Sequence, residues 1–340
     1  MSAVLPARFD AAAAPSRRGG RLALALLLAL ACVLPFVLSS YRTFQFTLVL
    51  VYAIALLGLN ILTGFNGQIS LGHGAFYAVG AYTAAILMDR FGVPYWLTVP
   101  VAGALCLGAG FLFGLPALRL GGHYLALATF ALAVALPQLL KHKRLEHWTG
   151  GVQGIVIAKP DAPLGWKLTP DQWLYFFTLA IAVALFVLGW NLLRGRVGRA
   201  LVAIRDQPIA AAAMGIDTAL YKSLTFGVSA MFTGIAGALG AISVQFVAPD
   251  SFPVFLSIAL LVGSVVGGIR SIGGAVYGAL FIQFVPNLAD QISKAAPWAI
   301  YGAFLIGFVV LMPAGIDGAM RKGWARIADR YVSRARREGG

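Results

Sequence analysis

Sixty per cent of the 340 residues are apolar and only 11% are charged, whereas a soluble domain carries about a quarter charged residues. This composition excludes a soluble enzyme or binding module and indicates an integral membrane protein. The net charge of +14 does not indicate nucleic-acid binding, because the basic residues flank apolar runs, where they set topology and contact membrane lipid. Cys32 and Cys106 both lie within apolar runs, so no disulfide is expected.

The apolar runs predict an all-α fold, a polytopic transmembrane helical bundle with about 8–10 membrane-embedded helices. We expect a disordered basic tail at residues 1–21, a membrane domain at 22–316 and a second basic tail at 317–340. The excess of Lys and Arg places both tails on the cytoplasmic side. The candidate spans are 22–38, 46–62, 75–88, 95–115, 123–140, 173–193, 223–245, 254–266, 275–288 and 298–312.

A stretch rich in glycine and polar residues, GFNGQISLGHG at residues 64–74, separates the second predicted span from the third. Irregular backbone at membrane depth has to be buried in protein or line a water-filled cavity, because lipid cannot satisfy its hydrogen bonds. Its polar side chains are therefore candidates either for the lining of a path or for the caps of a tight turn. His73 is either a hydrogen-bonded structural residue or a proton carrier.

Two sets of candidate residues come from this stretch, from Asn60 just before it, and from a second stretch, TGGVQGI, at residues 149–155. The candidates for a translocation path are Asn60, Asn66, Gln68, Ser70, His73, Thr149, Gly150 and Gly151. The glycines expected to permit close packing or a broken backbone are Gly64, Gly67, Gly72 and Gly74. Gly67, Ser70 and Gly72 recur as Gly268, Ser271 and Gly273, which indicates either an internal repeat or a chance similarity.

The segment at residues 194–222 is the longest polar interruption near the middle of the chain, and it is strongly basic. Asp206 or Gln207 is expected to cap a short helix that has Pro208 in its first turn and an alanine-rich body. Gly215 then stands where a left-handed C-terminal cap is needed. This segment is either a handle for another protein or a positive loop that only sets the membrane orientation.

Several kinds of chemistry are absent from the sequence. It contains no Walker A motif, no H-E-x-x-H motif and no Cys/His cluster with metal-ligand spacing, so no metal site or cofactor is expected. The predicted spans contain almost no acidic residues, although a proton-driven carrier usually needs buried carboxylates or histidines. The scarcity of such groups indicates that another subunit supplies the energy. The segment at 194–222 is then a candidate contact site for that subunit.

Five stretches of the sequence follow one another in the order found in a known family. They are NILTGFNGQISLGHGAFYAVGAYTAAIL at 60–87, HYLALATFALA at 123–133, TGGVQGI at 149–155, GRALVAIRDQPIAAAAMGI at 198–216 and MPAGIDG at 312–318. Together they resemble the LivM-type permease subunits of bacterial branched-chain amino acid ABC importers. Permeases for urea and short-chain amides share part of this pattern, and an ion-coupled secondary transporter is the other alternative.

The resemblance implies a transport subunit without enzymatic activity, placed in the bacterial inner membrane. It also implies a LivH-type second permease, two cytoplasmic ATP-binding subunits that hydrolyse ATP, and a periplasmic amino-acid-binding protein that delivers the substrate. It further implies that the segment at 194–222 is the loop that engages the ATPase. The residues of this predicted coupling loop are Gly198, Arg199, Ala203, Arg205, Asp206, Pro208, Ala212 and Gly215.

Overall fold

The structure is a computed structural model, and it describes residues 17–117, 122–162, 168–292 and 297–323. Most of the two predicted basic tails, at residues 1–16 and 324–340, lies outside this range. Every predicted span coincides with a helix over the described residues, so the prediction of an all-α helical bundle is confirmed. The bundle is built around apolar helices because each helix satisfies its own backbone hydrogen bonds.

The helices have the following bounds in chain order. They are α1 (Arg17–Val37), α2 (Ser40–Leu59), α3 (His73–Phe91), α4 (Tyr95–Ala117), α5 (Gly122–Leu140), α6 (Lys143–Thr149), α7 (Pro170–Arg194), α8 (Arg196–Asp206), α9 (Pro208–Ala213), α10 (Thr218–Val244), α11 (Val254–Gly267), α12 (Gly274–Ile292) and α13 (Pro297–Leu311). A π-helix (Asn60–Phe65) continues α2, and a 3₁₀ turn (Pro249–Ser251) precedes α11. Two short strands, β1 (Ile155–Val156) and β2 (Phe246–Val247), pair antiparallel.

The helices differ in length and hydropathy, and therefore in whether they can cross a bilayer. Within the described residues, five helical segments are long and apolar enough to span, and a sixth counts if α5 and α6, bent by 82°, form one broken span. This number is smaller than the ten spans predicted from hydropathy. Part of the difference arises because some predicted spans form short helices: α13 has 15 residues, whereas a straight crossing needs about 20. Helix α3 has 19 residues but includes His73, Asp89 and Arg90, which lower its mean hydropathy.

Helix α10 lies at the centre of the bundle and packs against α2, α3 and α4. Both α2 and α10 are largely buried within the protein, whereas α4 and α7 expose more of their surface. The helices approach closely at small residues: a Cβ atom built on Gly80 of α3 would lie 2.0 Å from the carbonyl oxygen of Gly234 in α10. Such contacts let the backbones of membrane helices pack without intervening side chains.

The bundle has two distinct ends. Helix α7 begins close to β1, as the ion pair between Lys159 and Asp171 shows, and runs to Arg194. Helices α8 and α9 follow, and α10 returns to β2, which pairs with β1. We call these the α8–α9 end and the β1–β2 end. The predicted loop at 194–222 therefore lies at the opposite end from the loop at 141–171.

Candidate functional site

The short helix predicted in the segment at 194–222 is present as α9. Pro208 is its first residue, where its missing N–H breaks no helical hydrogen bond. Gly215 follows the helix with φ of 82°, and the N–H of Ile216 donates to the carbonyl of Ala211 at 3.1 Å. The glycine therefore ends the helix in the predicted left-handed conformation.

The predicted side-chain cap of α9 is wrong. Gln207 occupies the N-cap position, but its side chain accepts no hydrogen bond from the helix. Asp206 is the last residue of α8, and its carboxylate pairs with Arg205 at 2.9 Å instead. Proline at the first position already removes one unsatisfied N–H, so α9 forms without a polar cap.

Helix α8 precedes α9 and was not predicted as a separate element. Its buried face consists of Gly198, Ala200, Leu201 and Ile204, while Arg199 is exposed and Ala203 is half-buried. The spacing of the buried residues at three and four positions is typical of an amphipathic helix. This periodicity was the signal that could have revealed α8 in the sequence.

Arg205 connects α8 to the glycine-rich stretch. Its Nη1 atom donates to the carbonyl of Gly64 at 2.8 Å, while its Nε atom donates to Asp206. Gly67 packs directly on the same side chain, since a Cβ atom on Gly67 would lie 2.8 Å from Cγ of Arg205. The segment at 194–222 thus contacts the interrupted backbone through one charged side chain.

The predicted interruption of the backbone is confirmed. The π-helix ends at Phe65, and regular helix resumes only at His73. A π-turn within a helix is often found at functional sites. Asn66, Gln68 and Ser70 are buried, and Gly72 and Gly74 pack against Thr129 and Ser257. The polar side chains of the irregular segment are therefore enclosed by protein, whereas Gly67 and Ile69 are exposed.

His73 lies at the centre of a closed hydrogen-bond chain. Ser229 donates to the carbonyl of Gly58 at 2.6 Å, so its oxygen accepts from Nε2 of His73 at 2.7 Å. Ser70 accepts from the N–H of Gly72 and donates to Nδ1 of His73 at 2.9 Å. Both ring nitrogens are satisfied by a neutral imidazole, so the arrangement favours the structural role of His73 over proton transfer.

A His73→Ala substitution is expected to lower the free energy of unfolding by about 2 kcal/mol, because Ser70 and Ser229 lose their buried partner. Thermal unfolding of the purified protein in detergent measures this loss, and a double-mutant cycle with Ser229→Ala isolates the coupling of the pair. Substitution of the exposed His147 by alanine serves as the control. Additive effects of the His73 and Ser229 substitutions would contradict the hydrogen-bond chain.

Asn60 ties the π-helix to the second glycine-rich stretch. Its Nδ2 atom donates to the carbonyl of Ser271 at 2.9 Å, and its Oδ1 atom accepts from Ser264. Gly64 lies against the same stretch, because a Cβ atom there would lie 1.7 Å from the carbonyl oxygen of Ile269. The two stretches that were similar in sequence are thus neighbours in the structure.

Their local geometry is also alike. Gly67 and Gly268 both have positive φ values, of 76° and 121°. A regular helix begins directly after Gly72 in the first stretch and directly after Gly273 in the second. Each of these two glycines accepts a backbone hydrogen bond of 3.0 Å from the residue three positions later. Equal spacing and similar local geometry favour an internal repeat over a chance similarity.

Arg321 was not singled out in the sequence, yet it completes this cluster. Its Nη2 atom donates to Oγ of Ser271 at 3.0 Å, and its Nε atom pairs with Asp317 at 2.7 Å. Gly315, with φ of 74°, packs on Gly268. The segment MPAGIDG therefore packs against the second glycine-rich stretch. This motif was the sequence signal that could have pointed to the cluster around Ser271.

The candidates Asn66 and Gln68 differ in their contacts. The side chain of Gln68 donates to the carbonyl of Lys222 at 3.2 Å. Asn66 is 2% exposed, and neither atom of its amide has a hydrogen-bond partner in the part of the chain that the structure describes. A buried, unsatisfied amide is costly, and the hydroxyl of Thr63 in the preceding π-helix also has no partner among the described residues.

Thr149, Gly150 and Gly151 lie at the β1–β2 end, apart from the other path candidates. The hydroxyl of Thr149 is 2.9 Å from the carbonyl of Leu140 and accepts from the N–H of Gly151. Gly150 ends α6 with φ of 71°. These residues shape a tight turn beside β1, and the structure does not bring them together with Asn66.

Among the described residues, no group of His, Cys, Asp and Glu could hold a metal ion.

The family of the chain follows from comparison with known sequences. A family described as branched-chain amino acid transport system, permease component, matches residues 41–313. The chain belongs to this family. The match begins at the start of α2 and ends just after α13, so it includes both glycine-rich stretches and the segment at 194–222. Together with the apolar helices, it shows that the chain is a multi-pass membrane protein and a permease.

Three relatives illustrate the range of this similarity. The chain is 34% identical, over 87% of its length and 74% of the relative's, to the high-affinity branched-chain amino acid transport system permease protein LivM of Escherichia coli K12. It is 27% identical, over 75% and 84%, to a probable branched-chain amino acid permease LivH of Methanocaldococcus jannaschii. It is 26% identical, over 86% of both chains, to the autoinducer 2 import system permease LsrC of Escherichia coli O9:H4.

Proposed function

We propose that this protein is a permease subunit of an ATP-driven importer of branched-chain amino acids in the bacterial inner membrane. The observation that carries the proposal is the contact between Arg205 and Gly64, which joins the short helices α8 and α9 to an interrupted membrane segment in a chain of the permease family. The similarity to LivM supports the solute class, because the identity to LivM exceeds that to LsrC over a similar length of chain.

The ATP-binding subunits dock on α9 at the cytoplasmic face in this proposal. Ile209 is 85% exposed and Met214 is 83% exposed, so this end of the bundle presents two apolar side chains that a partner can cover. Arg199 adds positive charge on the neighbouring α8. Two ATP-binding subunits bind one permease pair, in which a LivH-type chain is the second member, and hydrolysis of ATP takes place in those subunits.

Amino acids enter from a periplasmic binding protein at the β1–β2 end and leave at the α8–α9 end. Asn66 supplies a polar side chain with no internal partner within the interrupted segment, which suits contact with the charged backbone of an amino acid. Asn60, Ser70 and His73 hold the interrupted segment in place through their internal hydrogen bonds. Gln68 links this segment to the start of α10 through Lys222.

ATP hydrolysis is coupled to transport through the different affinities of the ATP-binding subunits for two states of the permease. The ATP-binding subunits shift the permease between outward-open and inward-open states only if they bind the two states with different affinity. Movement of α9 and α8 displaces Arg205, and Arg205 displaces the backbone at Gly64. The irregular residues 66–72 are the element that responds, because they lack the helical hydrogen bonds that make a segment rigid.

A permease for urea or short-chain amides is the closest alternative, and an ion-coupled secondary transporter is a further one. The first differs only in the solute, and binding of leucine or urea by the companion periplasmic protein distinguishes the two. The second requires a titratable path. The internal hydrogen bonds of His73 disfavour it, and transport by this chain without ATP-binding subunits would establish it.

A pull-down of the tagged protein from its native membrane is expected to recover a second permease and two P-loop ATPases. The double variant Ile209→Asp and Met214→Asp should recover the second permease but about tenfold less ATPase, because charge replaces the exposed apolar contacts of α9. Val156→Asp, at an exposed position of β1, is the matched control. Recovery of the wild-type chain alone would contradict the proposal.

A further inference from the structure

Two arginines contact the two glycine-rich stretches, and their contacts follow one pattern. Arg205 donates from Nη1 to the first stretch, at the carbonyl of Gly64, and from Nε to the carboxylate of the next residue. Arg321 donates from Nη2 to the second stretch, at Oγ of Ser271, and from Nε to Asp317, four residues before it. In both cases a carboxylate of the same segment holds the planar guanidinium in place, while a terminal nitrogen contacts the stretch.

The segment that carries Arg321 packs directly on the second stretch. A Cβ atom on Gly315 would lie 2.6 Å from Cα of Gly268, so the two backbones are in contact. Asp317 reaches the other end of the stretch, because a Cβ atom on Gly273 would lie 3.3 Å from its Oδ1 atom. Residues 315–323 are helical. One short helical element therefore contacts both ends of the stretch at 268–273 and binds its middle through Arg321.

Ser271 links this element to the rest of the bundle. Its Oγ atom accepts from Arg321 at 3.0 Å and from the N–H of Gly274, the first residue of α12, at 3.2 Å. Its carbonyl accepts from Nδ2 of Asn60 in the π-helix at 2.9 Å. Ser271 is 6% exposed, so water does not readily replace a partner that moves away. A displacement of Arg321 therefore reaches both the start of α12 and the π-helix through one residue.

The exposure of the two arginines sets the relative size of their expected effects. The side chain of Arg205 is 17% exposed, whereas that of Arg321 is 68% exposed. Water and salt screen the contacts of an exposed charge, so they contribute less than the contacts of an enclosed one. Removal of Arg321 should therefore leave the bundle folded and disturb transport less than removal of Arg205.

We propose that Arg321 is a second positioning residue for transport. It holds the second glycine-rich stretch through Ser271, as Arg205 holds the first stretch through Gly64, and the coupling of uptake to ATP hydrolysis requires both contacts. This inference rests on the proposed function, because it concerns how hydrolysis is coupled to uptake. Arg321 lies beyond residue 313, where the match to the family ends, so the family match does not include this contact.

The test uses the complex with its ATP-binding subunits in proteoliposomes and measures ATP hydrolysis and leucine uptake on the same sample. Arg321→Ala is expected to lower uptake about fivefold while hydrolysis continues. Lys322→Ala is the matched control, since it removes the same charge from the adjacent exposed position, and both of its rates should equal those of the wild type. Ser271→Ala should reproduce the loss of uptake, and adding Arg321→Ala to it should cause no further loss, because both changes remove one contact.

Hydrogen exchange of the purified chain measures the contact separately from transport. The N–H of Ser271 donates to the carbonyl of Gly268 at 3.0 Å, so its exchange rate reports whether the stretch stays closed. Arg321→Ala should speed this exchange about fivefold, whereas Lys322→Ala should not change it. Unchanged exchange in Arg321→Ala, or an unchanged ratio of uptake to hydrolysis, would overturn the inference alone. Absence of ATP-dependent leucine uptake by the wild-type complex would overturn the proposed function, and the inference with it.

Discussion

A Gly64→Ala substitution is expected to abolish transport and to lower the free energy of unfolding by about 3 kcal/mol. The added methyl group would lie 1.7 Å from the carbonyl oxygen of Ile269 and 2.7 Å from its carbonyl carbon. Both contacts are with backbone, which cannot rotate away as a side chain can. The π-helix and the stretch at 268–273 must therefore separate, and the hydrogen bond from Arg205 to Gly64 is disturbed with them.

Gly108→Ala is the matched control for Gly64→Ala. Gly108 lies in α4, and a Cβ atom there would meet nothing within 4 Å. Alanine also favours the helix by about 1 kcal/mol relative to glycine, so the control protein should be at least as stable as the wild type. Thermal unfolding in detergent and ATP-dependent leucine uptake by proteoliposomes measure the two effects. A Gly64→Ala protein with wild-type stability would show that the two stretches do not pack as described.

An Arg205→Ala substitution is expected to reduce transport about tenfold while the complex with the ATPase subunits still assembles. The guanidinium of Arg205 is the direct link between α8 and the carbonyl of Gly64, and its side chain is only 17% exposed. A hydrogen bond to a charged group contributes about 1.5–3 kcal/mol, which corresponds to a change of about tenfold or more. Loss of this bond leaves α9 able to bind its partner but unable to move the interrupted segment.

The expected signature is ATP hydrolysis that continues while uptake falls, so both rates are measured on the same proteoliposomes. Asp206→Asn is the first control, because it removes the exposed ion pair and keeps the bond to Gly64. Such surface pairs contribute about 0–1 kcal/mol. Arg199→Ala, an exposed change on α8, is the second control. An equal fall of hydrolysis and uptake in Arg205→Ala would assign the residue to ATPase docking instead of coupling.

Four segments that are remote in sequence meet at the α8–α9 end. Arg205 contacts Gly64, Gly64 lies on Ile269, and Asn60 and Arg321 both bind Ser271 from opposite sides. A displacement at any of these contacts changes the geometry of the others, because the contacts are with backbone atoms or with buried side chains. Because these contacts are linked, we expect Gly64→Ala and Arg205→Ala to reduce transport more than His73→Ala does.

The sequence by itself determined the class of this protein and most of its helices. Long apolar runs with few charges can be stable only in a membrane, and there the backbone has to be helical. Local rules were sufficient for the interruption at 64–74 and for the end of α9, since the conformation of Gly215 depends on its immediate neighbours. The family was also recognisable, because its motifs are short and continuous.

Only the tertiary structure decided how these pieces interact. Arg205 and Gly64 are separated by 141 residues, and His73 and Ser229 by 156, so neither contact follows from local pattern. The structure also separated Thr149 from Asn66, and it showed which helices cover the apolar face of α8. Packing determines these outcomes, because a buried polar group takes whichever partner the neighbouring helices bring within reach.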